Sequence, residues 1–337
     1  MDLNKKIELI KRNTVEIIGE EELKKLLKSK KEISVYWGTM PTGSPHISYY
    51  FPLLKVADLL RAGLRVKILL ADLHAALDGV DWKVLSKRQK YYERLIKVML
   101  KTIGVNINKL EFVEGSKIQL NGKYFQDVLK LSTITSVHDA TKSASEVVKL
   151  GDNPKLGGII YPVMQALDEE YLKVDAQLGG LDQRKILVYA REFLPKIGYK
   201  PRIEIMHPIV RGLIGEKMSS SVEGSKIDMM DDEETIKRKI NHAVMIAKDS
   251  NNGLMAFLKF VTFVIKKDNK EKFVLKRDKK YGGYLKYTNY NELEEDYISG
   301  KIHPLDLKNA IAKEMDKLVE PVRKDSLLRK LYKEAYK

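Results

Sequence analysis

Seven consecutive residues, Arg65-Val66-Lys67-Ile68-Leu69-Leu70-Ala71, form a nearly unbroken apolar run with helical patterns on both sides. A strand of that composition belongs where both faces of a parallel sheet are covered, because a wet face would demand polar alternation. The neighbouring segments repeat the theme. Ile33-Ser34-Val35-Tyr36-Trp37-Gly38 predicts a strand from its β-branched and aromatic content, a Thr/Pro/Gly loop follows, and a helix is expected from about His46 to Ala62. Further strands are expected near Glu111-Phe112-Val113 and over Lys173 to Leu178 and Arg202 to Met206. Helices are expected from about Trp82 to Thr102, after Tyr124, and from Asp182 to Leu194. This alternation predicts an α/β fold with a doubly wound parallel sheet, Rossmann-like. Upstream, residues from about Leu3 to Lys28 read as helices. After about Asp231 the strands largely cease, with Lys266 to Lys280 a loop carrying short extended pieces. Two domains follow: residues 1–231, expected to be catalytic, and a mostly α-helical domain over 232–337.

The chain contains no cysteine, which excludes disulfides, thiolate zinc sites and a cysteine nucleophile. No metal-ligand spacing stands out. No apolar run approaches the ~20 residues of a membrane span, and Met1-Asp2-Leu3-Asn4-Lys5-Lys6 is no secretory signal, so a cytoplasmic protein without a membrane partner is expected. The formal net charge of +15 suits a protein that meets phosphate backbones. A Lys-rich genome composition would produce the same excess.

Three segments carry the chemistry. In Tyr36-Trp37-Gly38-Thr39-Met40-Pro41-Thr42-Gly43-Ser44-Pro45-His46-Ile47-Ser48-Tyr49, a strand runs through a Gly/Pro loop into a helix that starts at a histidine. In an open α/β sheet, nucleotides bind at such a carboxyl strand end, facing unpaired helix N–H groups. The second segment, Gly215-Glu216-Lys217-Met218-Ser219-Ser220-Ser221, offers a cation and three hydroxyls to oxygens that gain charge during nucleotidyl transfer. Read alone, it is equally a solvated linker. The third, Tyr161-Pro162-Val163-Met164-Gln165-Ala166-Leu167-Asp168, projects Tyr161, Gln165 and Asp168 from one helix face. That stripe is either a solvated face or the wall of a polar pocket.

Together the first two segments resemble the paired HIGH and KMSKS signatures of class I aminoacyl-tRNA synthetases, written here His46-Ile47-Ser48-Tyr49 and Lys217 to Ser221. From about Ile18 to Arg323 the chain is similar to tyrosyl-tRNA synthetases of the archaeal and eukaryotic branch. The resemblance implies that Tyr36 and Asp168 bind the phenolic hydroxyl of L-tyrosine, while Tyr161, Gln165 and Gln183 hold its amino group. It implies ATP with Mg²⁺ beside Gly38, Thr39, His46, Lys217 and Ser220, with His46, Lys217, Ser219 and Ser220 acting in catalysis. Two positions depart from the pattern: Ser48-Tyr49 replaces Gly-His, and Ser221 replaces the second KMSKS lysine. The segments around Lys279-Lys280-Tyr281-Gly282-Gly283 and His303-Pro304-Leu305-Asp306 are similar to those with which the family reads the anticodon, which implies tRNA(Tyr) as partner and Tyr281 and Asp306 at the first anticodon base. A core aromatic and a helix N-cap would explain the same two residues. Family resemblance also implies a homodimer, with about Tyr124 to Lys149 in the interface. Tryptophanyl-tRNA synthetase and a catalytically silent RNA-binding protein on the same scaffold are the rival readings.

Overall fold

A computed structural model describes residues 1–29, 32–148, 150–209 and 226–337. Six strands form one sheet: β1 (Glu16–Ile18), β2 (Ser34–Thr39), β3 (Arg65–Leu70), β4 (Leu110–Glu114), β5 (Ala176–Gly180) and β6 (Ile203–His207). Their order is β1-β6-β5-β2-β3-β4. All neighbours run parallel except β1, which lies antiparallel on β6. The apolar run at β3 therefore sits between β2 and β4, with Val66, Ile68, Leu69 and Leu70 all buried. From β2 the chain winds outward through β3 and β4, then returns to the other side of β2 at β5. The winding reverses between β2 and β5, and the crevice at the carboxyl ends of those strands is where doubly wound sheets bind ligands.

The amino-terminal stretch is helical as expected, apart from one short strand. It contains helices Leu3–Lys11 and Glu20–Lys28 with β1 between them. The break has local causes. Asn13 adopts a left-handed φ of 51°, and Gly19 enters the second helix at φ 88°. Lys55, almost sealed from solvent, donates its ammonium to the carbonyls of Leu9, Ile10 and Arg12 and so caps the first helix. Burial pushes that ammonium down to about 8. Likewise β5 begins at Ala176 rather than Lys173, because Lys173 turns at φ 53° after the helix Leu156–Tyr171. The Lys-rich stretch begins in the last turn of helix Phe263–Asp268 and then carries one extended piece, β7 (Phe273–Leu275), which pairs with β8 (Leu285–Tyr287).

The chain divides into two compact units. One comprises Met1–Thr42, Lys55–Glu93 and Val105–Ile209 and contains the six-stranded sheet; the other comprises Gly43–Leu54, Arg94–Gly104 and the C-terminal residues through Lys337. The second unit is mostly helical, with the β7–β8 ribbon inserted. Its discontinuous pieces are tied together by side chains. Tyr50 Oη donates to the Leu318 carbonyl at 2.8 Å, Arg94 pairs with Asp325 at 2.6 Å, and Tyr336 Oη donates to the Gly43 carbonyl at 3.1 Å. Among the described residues, no helix is long and apolar enough to cross a membrane.

Candidate active site

Strand register places Lys67, Tyr36, Gln177 and Glu204 in one row across β3, β2, β5 and β6, on the same face of the sheet. The helix Leu156–Tyr171 packs over this polar row. Tyr36 Oη donates to the Gln165 carbonyl at 3.3 Å, and Lys67 Nζ donates to the Leu172 carbonyl at 2.8 Å. Burial, then the carboxylates of Asp168, Glu169 and Glu204, hold the Tyr36 phenol well above its ordinary range. The Tyr161, Gln165, Asp168 stripe is buried throughout, so it is no solvated helix face.

Asp168 is fully enclosed. Its Oδ1 accepts from Gln119 Nε2 at 2.8 Å and from Tyr124 Oη at 2.9 Å, and Tyr124 also reaches the Met164 carbonyl at 2.8 Å. Its Oδ2 makes no hydrogen bond among the described residues and lies 3.9 Å from His74 Nε2. Burial pushes the carboxyl up to about 7, with the hydrogen bonds from Gln119 and Tyr124 pulling the other way. The His74 ring meets Tyr161 edge to face, with centroids 4.6 Å apart, and Tyr161 Oη reaches Met40 Sδ at 3.6 Å. Tyr36, Tyr161, Gln165 and Asp168 are thus brought together.

Gln183 closes the short turn Leu181–Gln183 directly after β5. Its side chain folds back toward the strand end, so that a Cβ on Gly179 would lie 2.7 Å from Gln183 Oε1. Gly38 and Thr39 finish β2, and the Thr39 carbonyl accepts from the Ala71 amide at 2.9 Å. Three residues of this cluster escaped the sequence reading: His74, Gln119 and Tyr124. Only His74 has a local signal, a polar residue just past the carboxyl end of the apolar strand β3.

In the other unit, His46 stands at the N-cap of the turn Ile47–Tyr49. It bridges Asp228, while the Ile47 amide donates to the Ile227 carbonyl at 2.9 Å and the Met229 amide to the Pro45 carbonyl at 3.3 Å. The His46 loop is therefore zipped to Ile227–Met229. Tyr49, in place of a second histidine, packs edge to face on His46 at 5.8 Å. Burial, then the Lys226 ammonium, pushes His46 down to about 4, so it is a neutral hydrogen-bonding group at physiological pH. Lys217, Ser219 and Ser220 lie outside the described residues.

At the C-terminal ribbon Tyr281 is 62% exposed, with Lys280 Nζ 4.9 Å from its ring; Tyr284, which the sequence reading did not single out, is 63% exposed with Lys276 at 5.5 Å. Tyr281 is therefore no core aromatic. Asp306 lies in the first turn of helix Pro304–Lys324, whose N-cap is His303, accepting from the Leu305 amide at 3.2 Å.

Comparison with known proteins matches residues 28–320 to the family model "tRNA synthetases class I (W and Y)". The chain is 48% identical over 99% of its length to the cytoplasmic tyrosine–tRNA ligase of Danio rerio, of which it spans 63%. It is 44% identical to a probable cytoplasmic tyrosine–tRNA ligase of Encephalitozoon cuniculi, with 96% of each chain covered. Its fold matches the crystal structure of tyrosyl-tRNA synthetase complexed with L-tyrosine from Archaeoglobus fulgidus, with a TM-score of 0.87, 37% identity, and 98% and 99% of the two chains covered.

Proposed function

We propose that this chain, which belongs to the class I tRNA synthetases (W and Y), activates L-tyrosine with ATP and transfers it to tRNA(Tyr) in the cytoplasm. The observation that carries the reading is Asp168: a fully buried carboxylate with one bare oxygen beside the buried Tyr36 phenol. A site of that kind is left unsatisfied by any ring lacking a polar hydrogen, so phenylalanine is rejected. An indole N–H could donate but could not accept in return, which disfavours tryptophan. Tyr161, Gln165 and Gln183 supply polar atoms for the amino group.

In the first step a tyrosine carboxylate oxygen attacks the α-phosphorus of ATP and pyrophosphate departs, leaving tyrosyl-adenylate. The terminal ribose hydroxyl of the tRNA then takes the acyl group, and AMP leaves. The carboxylate is already a nucleophile, so the first step calls for positioning and charge stabilisation rather than a protein base. His46 acts as a neutral donor to the phosphates, alongside Lys217, Ser219 and Ser220, while Gly38 and Thr39 border the nucleotide. Mg²⁺ arrives bound to the ATP phosphates. Residues 1–231 form the catalytic domain and 232–337 the anticodon-binding domain, where exposed Tyr281 stacks on a splayed base and Asp306 accepts from its edge.

One assay separates this reading from its rivals. Tyrosine-dependent ATP–pyrophosphate exchange supports it, tryptophan-dependent exchange would make the chain a tryptophanyl enzyme, and no exchange with either would leave a silent RNA-binding protein. His46→Ala should lower exchange on the order of a hundredfold, the effect of losing one positioned donor, while tyrosine binding by calorimetry stays within a few-fold of wild type. Unchanged exchange would remove His46 from the phosphate site.

A homodimer is part of the same reading. Phe125 and Leu129 lie one turn apart on helix Gly122–Ile134, and both are exposed, together with Leu120 and Val137. Large apolar side chains exposed one turn apart on a helix suit a partner surface, and a second copy is the occupant that family membership supports. Phe125→Glu should turn a dimer into a folded monomer in sedimentation velocity. A wild-type protein that sediments as a monomer at micromolar concentration would refute the assignment.

A further inference from the structure

His74 lies in the short helix Asp72–Leu77, just beyond the carboxyl end of β3, and only 2% of it is exposed. Its Nδ1 is 3.3 Å from Gln119 Nε2. The orientation of that amide is dictated by Asp168. Gln119 Nε2 also sits 2.8 Å from Asp168 Oδ1, and the reverse orientation would aim an amide oxygen at a carboxylate oxygen. An amide nitrogen only donates, so His74 Nδ1 accepts and the ring proton resides on Nε2. Burial pushes the imidazole down to about 4, with the Tyr161 backbone working weakly the other way, so the ring carries a single proton.

Two bare groups of opposite character result. Among the described residues, His74 Nε2–H has no partner at hydrogen-bond geometry, the Tyr161 backbone being its one polar influence, and Asp168 Oδ2, 3.9 Å away, is an acceptor with none. A hydroxyl satisfies both at once: its oxygen accepts while its proton is donated. An indole N–H satisfies one of them and a plain phenyl ring neither. The phenolic oxygen retains a second lone pair, which Tyr36 fills only by turning its hydroxyl proton away from the Gln165 carbonyl.

We infer that His74 is a specificity-determining residue, donating Nε2–H to the phenolic oxygen of tyrosine while Asp168 Oδ2 accepts the phenolic proton, and that Gln119 positions both. This inference rests on the tyrosine reading above. It adds a third contact to the hydroxyl and explains why a glutamine, with two donors on one nitrogen, stands between the histidine and the aspartate.

The test compares wild type, His74→Leu and His74→Gln in ATP–pyrophosphate exchange with tyrosine and with phenylalanine. His74→Leu should lower kcat/KM for tyrosine about tenfold or more, the cost of leaving a buried polar group unpaired, and change that for phenylalanine less than about twofold. His74→Gln, which keeps an N–H donor, should recover part of the loss, and KM for ATP should not move. Equal losses with both amino acids would overturn the inference and leave the tyrosine reading intact. A wild-type enzyme without tyrosine-dependent exchange would instead defeat that reading. Should the variants fail to fold, ¹⁵N NMR of the wild-type His74 ring decides. An Nε2–H tautomer whose proton resonance moves on adding tyrosine, but not phenylalanine, supports the assignment, and an Nδ1–H tautomer overturns it.

Discussion

Asp168→Asn should fold normally yet bind tyrosine on the order of a hundredfold more weakly, from one lost hydrogen bond to a charged group at about 1.5–3 kcal/mol and the donor that then faces the phenolic proton. Asparagine is the informative replacement because Asp168 has two oxygens with different duties. Oδ1 is the common acceptor for Gln119 and Tyr124, which come from separate segments and are themselves buried. Truncation to alanine would strand both donors and confuse a binding defect with an unfolding one. An asparagine oxygen in the Oδ1 position keeps both hydrogen bonds and the packing. Its amide nitrogen then replaces Oδ2, presenting a donor where the phenolic proton needs an acceptor. The expected signature is a melting temperature within a few degrees of wild type, retained ATP binding, and tyrosine-dependent exchange near background. Asp168→Asn that still prefers tyrosine over phenylalanine would take Asp168 out of the amino-acid site, and the case for a phenol-binding enzyme would go with it.

The parts of this molecule legible from sequence are those whose cause is local. The apolar run at β3 and the long amphipathic helix Trp82–Thr102 are dictated by composition and period, and both lie where the pattern puts them. The stripe of Tyr161, Gln165 and Asp168 was legible as one helix face, and its setting among Val163, Met164, Ala166 and Leu167 pointed it inward. Its burial comes from the sheet beneath it, where register sets Tyr36 and Gln177 side by side. The short strand β1 was missed because the strand it pairs with, β6, lies nearly two hundred positions away. Gln119 and Tyr124 were missed for the same kind of reason. Each is unremarkable in its own segment and acquires a partner only when the helices Gly115–Gln119 and Gly122–Ile134 are set beside Leu156–Tyr171. Sequence period reports which face of an element is apolar; it does not report which distant polar atom will meet it.

The same polar row carries a stability consequence. Glu169 follows Asp168 on the helix, Glu204 lies on β6, both are 0% exposed, and among the described residues no carboxylate oxygen of either makes a hydrogen bond. Burial pushes Glu169 up to about 8, against the pull of Arg202 and Arg191, and burial together with Glu169 holds Glu204 well above its ordinary value. In the unfolded chain both carboxyls titrate near 4.5. Over the interval between that value and about 8 the folded protein holds more protons than the unfolded one, so stability must fall as pH rises. The contribution is complete below pH 4.5 and is lost as pH passes through about 8. Glu204→Gln removes one of the two charges and gives Glu169 an amide donor at nearly unchanged volume. Wild type should therefore melt roughly 5 °C or more lower at pH 9 than at pH 6, and Glu204→Gln should flatten that slope and melt higher than wild type at pH 9. Because Gln165, Asp168 and Glu169 share one helix, KM for tyrosine should rise over the same alkaline interval in wild type and less in the variant. A melting temperature that is level from pH 6 to 9, or an equal slope in both proteins, would mean that the pair is ionised in the fold and that the Arg191 and Arg202 guanidiniums, rather than shared protons, make its burial tolerable.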